Sequence, residues 1–403
     1  MLVIPLPVLA SDVAPHPVGC QGDGCHALAA SALRWTQPLP GYWHAGGGGA
    51  GDSGDGSTVP ASGQALVAAG GKLAVVGIGL DVTGYDLATG HRRWQVTLAA
   101  PPGAVIMSVR AWPDVVTVGL LAPDGRSRTE AVLSARDGRE LRRYPAAVYG
   151  GAVAASAAAT VVIGASAVTS YGNATGQVRW RRAAGGAEPW RVDGQTLYLA
   201  ESPGGALGSS PVTALRVVDL GTGAERTLSS PIGSPFSGTL ALATDGAVLF
   251  AAPAGVTAYS GSTGGELWSA AGAVPEGTDP AARLVYLAEA GGTLGGVDPL
   301  TGRARAVVPA SAVPGDGAVY VVRGGTAFGL DAGASGAAWE YATRAGRVSW
   351  TSAGLPWPHF YADVSGLGGS AAEAGGTVVV TACPRLGATA PFCADPELVA
   401  FAL

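Results

Sequence analysis

The sequence predicts an all-β protein built from small sheets that repeat along the chain. Three observations lead to this prediction. One stretch, Val82–Trp94, reads as a strand, a tight turn and a second strand, and it recurs at Val168–Trp180 and Val256–Trp268. Glycine accounts for 64 of the 403 residues. Because 48% of the residues are hydrophobic and only 13% are charged, the composition favours many short strands joined by tight turns.

Each residue type in the repeated stretch has a physical role. Alternating β-branched and aromatic residues favour a half-buried strand. A short Asp side chain in the turn can bond its own backbone, and the turn Gly adopts positive φ at little cost. The closing Trp can bury a large flat surface against a neighbouring unit. The residues assigned to these structural roles are Asp86, Gly90, Trp94, Gly176, Trp180, Gly264, Trp268, Asp298, Gly302, Asp331, Gly336 and Trp339.

Seven units of this kind are predicted in chain order. Their turn glycines are 34 to 48 residues apart, which is the range of four-stranded propeller blades. Each unit contains an apolar strand, the glycine turn and a final strand. The predicted units are Gln64–Thr97, Ala104–Tyr144, Ala152–Arg182, Trp190–Leu228, Thr239–Ala270, Ala281–Val308 and Ala318–Tyr341.

The two ends of the chain supply an eighth unit. Glu397–Leu403 reads as the strand that precedes a repeat turn, and Leu33–Trp35 reads as the end of a unit whose beginning is missing. Pairing these two strands would remove the exposed edges of an open sheet. The sequence therefore predicts an eight-bladed β-propeller of four-stranded antiparallel blades, closed by its N- and C-terminal strands. Residues 1–32 form a separate N-terminal segment, and residues 33–403 form a single domain.

The pattern Asp-x-x-Thr-Gly-x-x-x-Trp, complete at residues 86–94, resembles the PQQ-like β-propeller repeat. That family includes quinoprotein alcohol dehydrogenases and BamB-like propellers of outer-membrane assembly. The resemblance covers about Leu33–Leu403, and it is partial where Asn173 and Gly261 fall near the Asp position. It implies an eight-bladed propeller with Trp residues docked between blades. It does not imply a bound quinone, because most relatives with the repeat bind none.

Two functions follow from this resemblance. The preferred one is a non-catalytic propeller that binds a protein or polymer as a scaffold, with no catalytic residue, cofactor or metal. The alternative is a PQQ-dependent alcohol dehydrogenase, which needs a Ca²⁺ cage of carboxylate and amide oxygens and an Asp base. Many such enzymes carry an adjacent Cys-Cys pair. The chain has no Cys-Cys sequence and a single asparagine, Asn173, so PQQ with Ca²⁺ is disfavoured.

Four cysteines indicate an oxidising compartment, because an even count permits disulfides. Local pairs Cys20–Cys25 and Cys383–Cys393 are favoured among three possible connectivities. Cys20-x4-Cys25-His26 also resembles a widened haem attachment motif, and four cysteines could hold zinc. Four residues separate Cys20 from Cys25, more than in the common haem motif. Nine residues separate Cys383 from Cys393, and neither spacing suits a zinc site. The sequence therefore predicts a secreted or cell-envelope protein, although no leader is visible in this chain.

Charge and hydropathy disfavour several other functional classes of protein. A net charge of −5 gives no basic footprint for nucleic acid. Lys72 is the only lysine, which leaves few options for Schiff-base chemistry. Tyr144–Val178 carries no charge, but its Ala, Gly, Ser and Thr content favours buried strands over a membrane span. We expect a monomer with no transmembrane span.

An aromatic stretch in the last blade is the predicted partner surface. It lies in an insertion-bearing segment, residues 342–394, and aromatic side chains with polar atoms are typical of interfaces. The alternative is that these side chains plug the central channel of the ring. The candidate residues are Trp350, Trp357, His359, Phe360 and Tyr361.

Overall fold

The computed structural model describes residues 33–39, 43–44, 65–146, 151–156, 158–164, 166–183, 189–201, 212–229, 236, 238–279, 282–289, 293–308, 318–323, 326–330, 338–342, 347–351, 359–361, 371–383, 392–393 and 397–402. Within this part of the chain the regular elements are β-strands. No helix long and apolar enough to cross a membrane occurs among those residues.

Two strands precede the repeated sheets, β1 (Leu33–Pro38) and β2 (Trp43–His44). Seven antiparallel sheets then follow, each made of four consecutive strands. The first four sheets comprise β3 (Leu66–Gly70), β4 (Leu73–Ile78), β5 (Asp81–Asp86), β6 (Arg92–Thr97); β7 (Val105–Ala111), β8 (Val115–Leu121), β9 (Arg128–Ser134), β10 (Glu140–Ala146); β11 (Gly151–Ser156), β12 (Ala159–Ile163), β13 (Ala167–Gly172), β14 (Val178–Ala183); and β15 (Trp190–Asp193), β16 (Thr196–Glu201), β17 (Ala214–Asp219), β18 (Glu225–Ser229).

The fifth to seventh sheets repeat the same order of strands. They comprise β19 (Thr239–Thr244), β20 (Ala247–Ala252), β21 (Gly255–Ser260), β22 (Glu266–Ala271); β23 (Val274–Asp279), β24 (Leu284–Ala288), β25 (Leu294–Val297), β26 (Ala304–Val308); and β27 (Ala318–Arg323), β28 (Thr326–Leu330), β29 (Ala338–Ala342), β30 (Arg347–Thr351). The sixth sheet begins before the predicted start at Ala281. The sequence pattern missed its first strand, β23, because Val-Pro-Glu-Gly-Thr-Asp has no run of apolar residues.

The eighth sheet joins the two ends of the chain. It contains β31 (His359–Tyr361), β32 (Ala371–Ala374), β33 (Thr377–Cys383), β35 (Glu397–Ala402) and β1. β1 pairs with β35, so that Trp35 lies opposite Ala400. This confirms the predicted pairing of the terminal strands. The sheet has five strands and not the predicted four, because β31 and β32 both pair with β33.

A small additional sheet lies outside the repeat. β2 pairs with β34 (Phe392–Cys393), so that Trp43 lies opposite Cys393. The sequence does not predict this pair, because strands of two residues carry no periodicity. It brings the segment after β1 next to the segment between β33 and β35.

The hydrophobic core lies between neighbouring sheets. Trp35 and Leu398 of the eighth sheet pack with Val76 and Tyr85 of the first. A second cluster joins the first and second sheets, and others join the third to the fourth, the fourth to the fifth and the fifth to the sixth. β23 contacts β27, β27 contacts β32, and β32 contacts β3. A further cluster joins the second and third sheets, so each sheet contacts its neighbours in chain order and the last contacts the first.

The seventh sheet corrects one part of the sequence prediction. The segment Asp331–Gly336, predicted as its repeat turn, lies outside the described residues and precedes the third strand, β29. Trp339, predicted to close the last strand, lies in β29 opposite Gly329. The assignment of Trp339 is therefore wrong, because the predicted unit ended at Tyr341 and left out the fourth strand, β30.

Trp350 stands where the repeat tryptophan belongs in the seventh sheet. It is opposite Glu340, next to a register shift, just as Trp94 is opposite Gly84 next to a register shift. The sequence contains the matching signal, since Gly346-x-x-x-Trp350 has the same spacing as the complete repeat. Trp350 is thus at a repeat position in β30 rather than in an insertion.

Candidate binding site

In sheets whose repeat turn contains Asp, this residue places a carboxylate at one edge of the sheet. In the first sheet, Oδ1 of Asp86 accepts hydrogen bonds from the backbone N–H groups of Ala88 and Thr89, each at 3.1 Å. The Gly90 N–H donates to the Asp86 carbonyl at 2.8 Å, and Gly90 has φ of 73°. Burial acts to raise the pKa of Asp86, but hydrogen bonds from Arg93 and Thr89 lower it below its usual value. The carboxylate is therefore stabilised in its charged form.

Three of the described repeat turns lack Asp at this position. Ser134, Gly172 and Ser260 occupy it, as the backbone hydrogen bonds of their turns show. Asn173 and Gly261, which the sequence placed near the Asp position, lie one residue further on. Asn173 is buried, and its Oδ1 accepts a hydrogen bond from the Thr160 hydroxyl at 2.7 Å. The only asparagine of the chain is therefore a structural residue between two strands.

The repeat tryptophans dock on the turn of the next sheet. Trp94 of the first sheet donates its Nε1–H to the Ala135 carbonyl at 3.0 Å. A Cβ atom at Gly138 would lie 2.6 Å from the Trp94 ring, so the ring rests where a side chain would otherwise be. The same arrangement occurs for Trp35 on the Leu87 carbonyl at 2.9 Å and Trp268 on the Pro299 carbonyl at 2.9 Å.

Trp180 follows this packing without the hydrogen bond. A Cβ at Gly223 would lie 2.5 Å from its ring. Its Nε1 is buried and has no hydrogen-bond partner. Trp180 therefore contributes packing between the third and fourth sheets but leaves one donor unsatisfied.

A cleft of about 410 Å³ opens between the first and second sheets, beside the repeat turns. It is formed by the β3–β4, β7–β8 and β9–β10 turns together with β6. A Cβ at Gly71, which has φ of 60°, would lie 2.8 Å from Cα of Pro113. The two turns therefore approach closely because residue 71 has no side chain. The lining residues are Gly71, Lys72, Leu73, Arg93, Pro113, Asp114, Ala135 and Arg136.

The charged groups at the cleft are unequally paired. Nη2 of Arg93 lies 2.6 Å from Oδ2 of Asp86. Lys72, Arg136 and Asp114 are exposed, and they form no ion pair with any residue that the structure describes. Lys72 and Arg136 therefore lie at the rim outside any salt bridge of the described residues. The pKa of Asp137, next to Arg136, is lowered chiefly by a hydrogen bond from Ser134 and further by the charge of Arg136.

The basic residues are concentrated in the part of the chain that contains the cleft. Residues 65–183, which hold the first three sheets, contain 13 Lys and Arg against 7 Asp and Glu, a net charge of +6. The whole chain has a net charge of −5, so the rest carries −11. The net charge of the whole chain conceals this division.

A buried ion pair lies in the second sheet, on the side that faces the third. Nη2 of Arg128 is 2.6 Å from Oε1 of Glu130, with side-chain exposures of 3% and 0%. Arg128 also donates to the Ser108 hydroxyl at 2.9 Å. A Cβ at Gly119 would lie 2.4 Å from Arg128 Nη2, so only glycine leaves room for the pair. These groups are almost fully buried, and the hydrogen bond to Ser108 joins β9 to β7 across β8.

No metal centre is found in the described part of the chain, where no group of three His, Cys, Asp or Glu side chains could hold an ion. The cysteine predictions are not resolved. Cys20 and Cys25 lie outside the described residues, and for Cys383 and Cys393 only the backbone is described, at the end of β33 and in β34. Their pairing stays a prediction.

The predicted aromatic surface is placed only in part. Trp357 lies outside the described residues, while His359, Phe360 and Tyr361 form β31 at the edge of the eighth sheet. For these three residues the backbone alone is described. The structure does not connect them to the cleft, which belongs to the first and second sheets. The lining residues of the cleft were not predicted.

Comparison with known proteins supports the repeat assignment. Residues 50–119 match the family model described as outer membrane protein assembly factor BamB. These residues carry the PQQ-like repeat. They span the first sheet and most of β7 and β8, and include Asp86, Gly90 and Trp94. The predicted family resemblance is thus confirmed for this stretch. A search of curated protein sequences found no match.

Solved structures share the architecture at low sequence identity. The computationally designed Ika8 protein matches with a TM-score of 0.53 and 15% identity, covering 85% of this chain and 98% of Ika8. The C-terminal WD40 domain of Sif2 matches with a TM-score of 0.52 and 11% identity, covering 84% and 96%. BamB from Moraxella catarrhalis has a TM-score of 0.45 and 19% identity, covering 67% and 82%. Since WD40 domains are β-propellers, the fold is propeller-like.

Proposed function

We propose that this chain is an eight-bladed β-propeller that acts as a non-catalytic binding module for an acidic partner protein. The observation that carries this proposal is the charge division, with a net +6 on residues 65–183 in a chain of net −5. An unequal distribution of this kind steers an oppositely charged partner toward one part of a surface. Lys72 and Arg136, which are exposed and form no salt bridge among the described residues, lie in that part.

The eighth sheet supports the ring. Its two outer neighbours, β3 and β27, both contact β32, and β1 completes it from the other end of the chain. A closed ring presents rigid loops on two faces, which suits binding with little ordering of the backbone. We place the partner surface on the basic sheets, and keep the other predicted aromatic residues, Trp357, His359, Phe360 and Tyr361, as a second candidate surface.

We further propose that the protein works outside the cytoplasm, in the cell envelope or beyond, and as a monomer. Four cysteines in favoured local pairs support an oxidising environment. The description of the matching family model, an outer membrane protein assembly factor, agrees with this location. If this protein binds a purified cell-surface polymer when no partner protein is present, the polymer is the partner.

Charge reversal at two equivalent positions tests the proposed function. Arg139 and Arg303 each follow the turn glycine of their sheet and accept the same backbone hydrogen bond, at 2.9 Å. Arg139 lies in the basic part of the chain and Arg303 in the acidic part. We expect Arg139→Glu to weaken partner binding and reduce its salt dependence, measured by quantitative capture at increasing NaCl. Arg303→Glu is the control, and equal effects of both changes would refute the proposal.

The enzyme alternative is a PQQ-dependent alcohol dehydrogenase, which the repeat alone supports. Incubation with PQQ and Ca²⁺ followed by a dye-linked alcohol assay tests it. Quinone binding with turnover would replace the binding-module proposal. We expect neither binding nor turnover.

A further inference from the structure

We propose that the cleft between the first and second sheets binds a short acidic peptide segment with one large apolar side chain at its centre. This rests on the proposed function and specifies its ligand. The cleft is lined by three apolar residues, the buried Leu73 and Ala135 and the exposed Pro113, and by the exposed Lys72 and Arg136. A ligand that uses both features must combine an apolar anchor with flanking carboxylates.

The cations alone do not define a site for a small anion. Lys72, Arg93 and Arg136 are exposed. Exposed ion pairs each contribute little, typically about 0–1 kcal/mol, and salt weakens them. No buried donor is among the lining residues to hold a free phosphate or a lone carboxylate. Affinity therefore has to come from burying an apolar side chain, with the cations selecting acidic neighbours.

The size of the cleft favours a segment and not a folded surface. About 410 Å³ is within the range of pockets that enclose small ligands. A central anchor in a pocket, surrounded by polar contacts at the rim, is the usual arrangement of an interface hot spot. The exposed Pro113 offers a flat carbon surface at the cleft, which suits an aromatic anchor such as Phe.

The acidic group at the rim adds a directional element. Asp114 is exposed and follows Pro113, while Lys72 and Arg136 come from the two other turns. A carboxylate placed beside Asp114 would be repelled, so acidic residues of the peptide are directed toward Lys72 and Arg136. Arg93 is already held by Asp86 at 2.6 Å, and its contribution is therefore smaller.

Fluorescence anisotropy with the full chain tests this site. The probe is a fluorescein-labelled peptide with the core Asp-Glu-Phe-Asp-Glu flanked by glycines. A second peptide replaces Phe by Gly at unchanged charge, and a third replaces the acidic residues by Lys and Arg. We expect binding of the first at moderate salt, at least tenfold weaker binding of the second, and no binding of the third.

Two double variants locate the site. Lys72→Glu with Arg136→Glu should weaken binding of the first peptide at least tenfold. Arg179→Glu with Arg181→Glu makes the same charge change at exposed positions of β14 in the basic part of the chain, and should change it less than threefold. Thermal unfolding verifies that each variant is folded, and Lys72→Gln with Arg136→Gln serves as a milder pair with a smaller loss.

The outcomes separate the two proposals. Equal losses in both double variants would overturn the cleft site and leave binding through the basic surface in place. Absence of binding by all three peptides would also overturn the cleft site, and the proposed function would then depend on its own partner assay. Equal affinity for the Phe and Gly peptides would overturn the apolar anchor.

Discussion

At the scale of single residues, Gly90 shows how one missing side chain serves both backbone and packing. Its φ is 73°, and a Cβ there would lie 2.6 Å from the Trp35 ring. Gly125 has a similar φ of 65°, with nothing within 4 Å of an added Cβ. Substitutions at the two positions therefore distinguish the cost of a left-handed backbone conformation from the cost of a steric clash.

We expect Gly90→Ala to destabilise the protein by about 2–4 kcal/mol, because it adds a clash to the cost of a left-handed conformation. Gly125→Ala should cost about 1–2 kcal/mol from conformation alone. Urea unfolding of both variants measures the difference. A loss for Gly90→Ala no greater than for Gly125→Ala would mean that the Trp35 ring moves aside freely.

At the scale of the sheet elements, the tryptophans that dock between sheets differ in one hydrogen bond. Trp94 and Trp180 are buried alike, with exposures of 7% and 8%. Trp94 donates to Ala135 at 3.0 Å, whereas Nε1 of Trp180 has no partner. Replacement by Phe removes similar ring surface in both cases, so the difference reports on the hydrogen bond.

We expect Trp94→Phe to lower the free energy of unfolding by about 1 kcal/mol more than Trp180→Phe does. Trp94→Phe leaves the Ala135 carbonyl without its donor, whereas Trp180→Phe removes a donor that has no acceptor. Midpoints and slopes of urea unfolding give the comparison. If Trp180→Phe lowers stability more, Nε1 of Trp180 has a hydrogen-bond partner in solution. The two tryptophans would then not differ in hydrogen bonding.

The sequence predicts these elements well where local chemistry defines them. A turn that needs positive φ requires glycine, and the docking ring requires tryptophan four residues later, so Gly90 and Trp94 are visible as a pair. The same rule misassigned Trp339, because Asp331–Gly336 imitates the turn in sequence. Strand register decides between Trp339 and Trp350, and register is set by pairing with other strands, which a local pattern does not show.

The cleft could not be predicted for a similar reason. Lys72, Pro113 and Arg136 come from three turns in two sheets, separated by about 20 to 60 residues in sequence. None of these turns has an unusual sequence, and the cleft exists only because the sheets pack side by side. The available signal was the excess of basic residues between positions 65 and 183, which average charge conceals.

At the scale of the whole molecule, the eighth sheet connects the chain ends and packs on the first sheet. Leu398 is fully buried in the cluster that includes Val67, Val76 and Tyr85 of the first sheet. Its strand β35 lies between β1 and β33, so it depends on both ends of the chain. A defect there should therefore reach residues that are more than 300 positions away in sequence.

We expect Leu398→Ala to destabilise the protein by about 2–5 kcal/mol through the cavity that it leaves. Leu300→Ala, at a side chain that is 40% exposed in the sixth sheet, should change stability by less than about 0.5 kcal/mol. Hydrogen exchange gives the decisive measurement, with faster exchange expected in β3–β5 as well as in β33, β35 and β1. Faster exchange confined to the eighth sheet would show that it does not support its neighbour, and the ring would then be open between the eighth and first sheets.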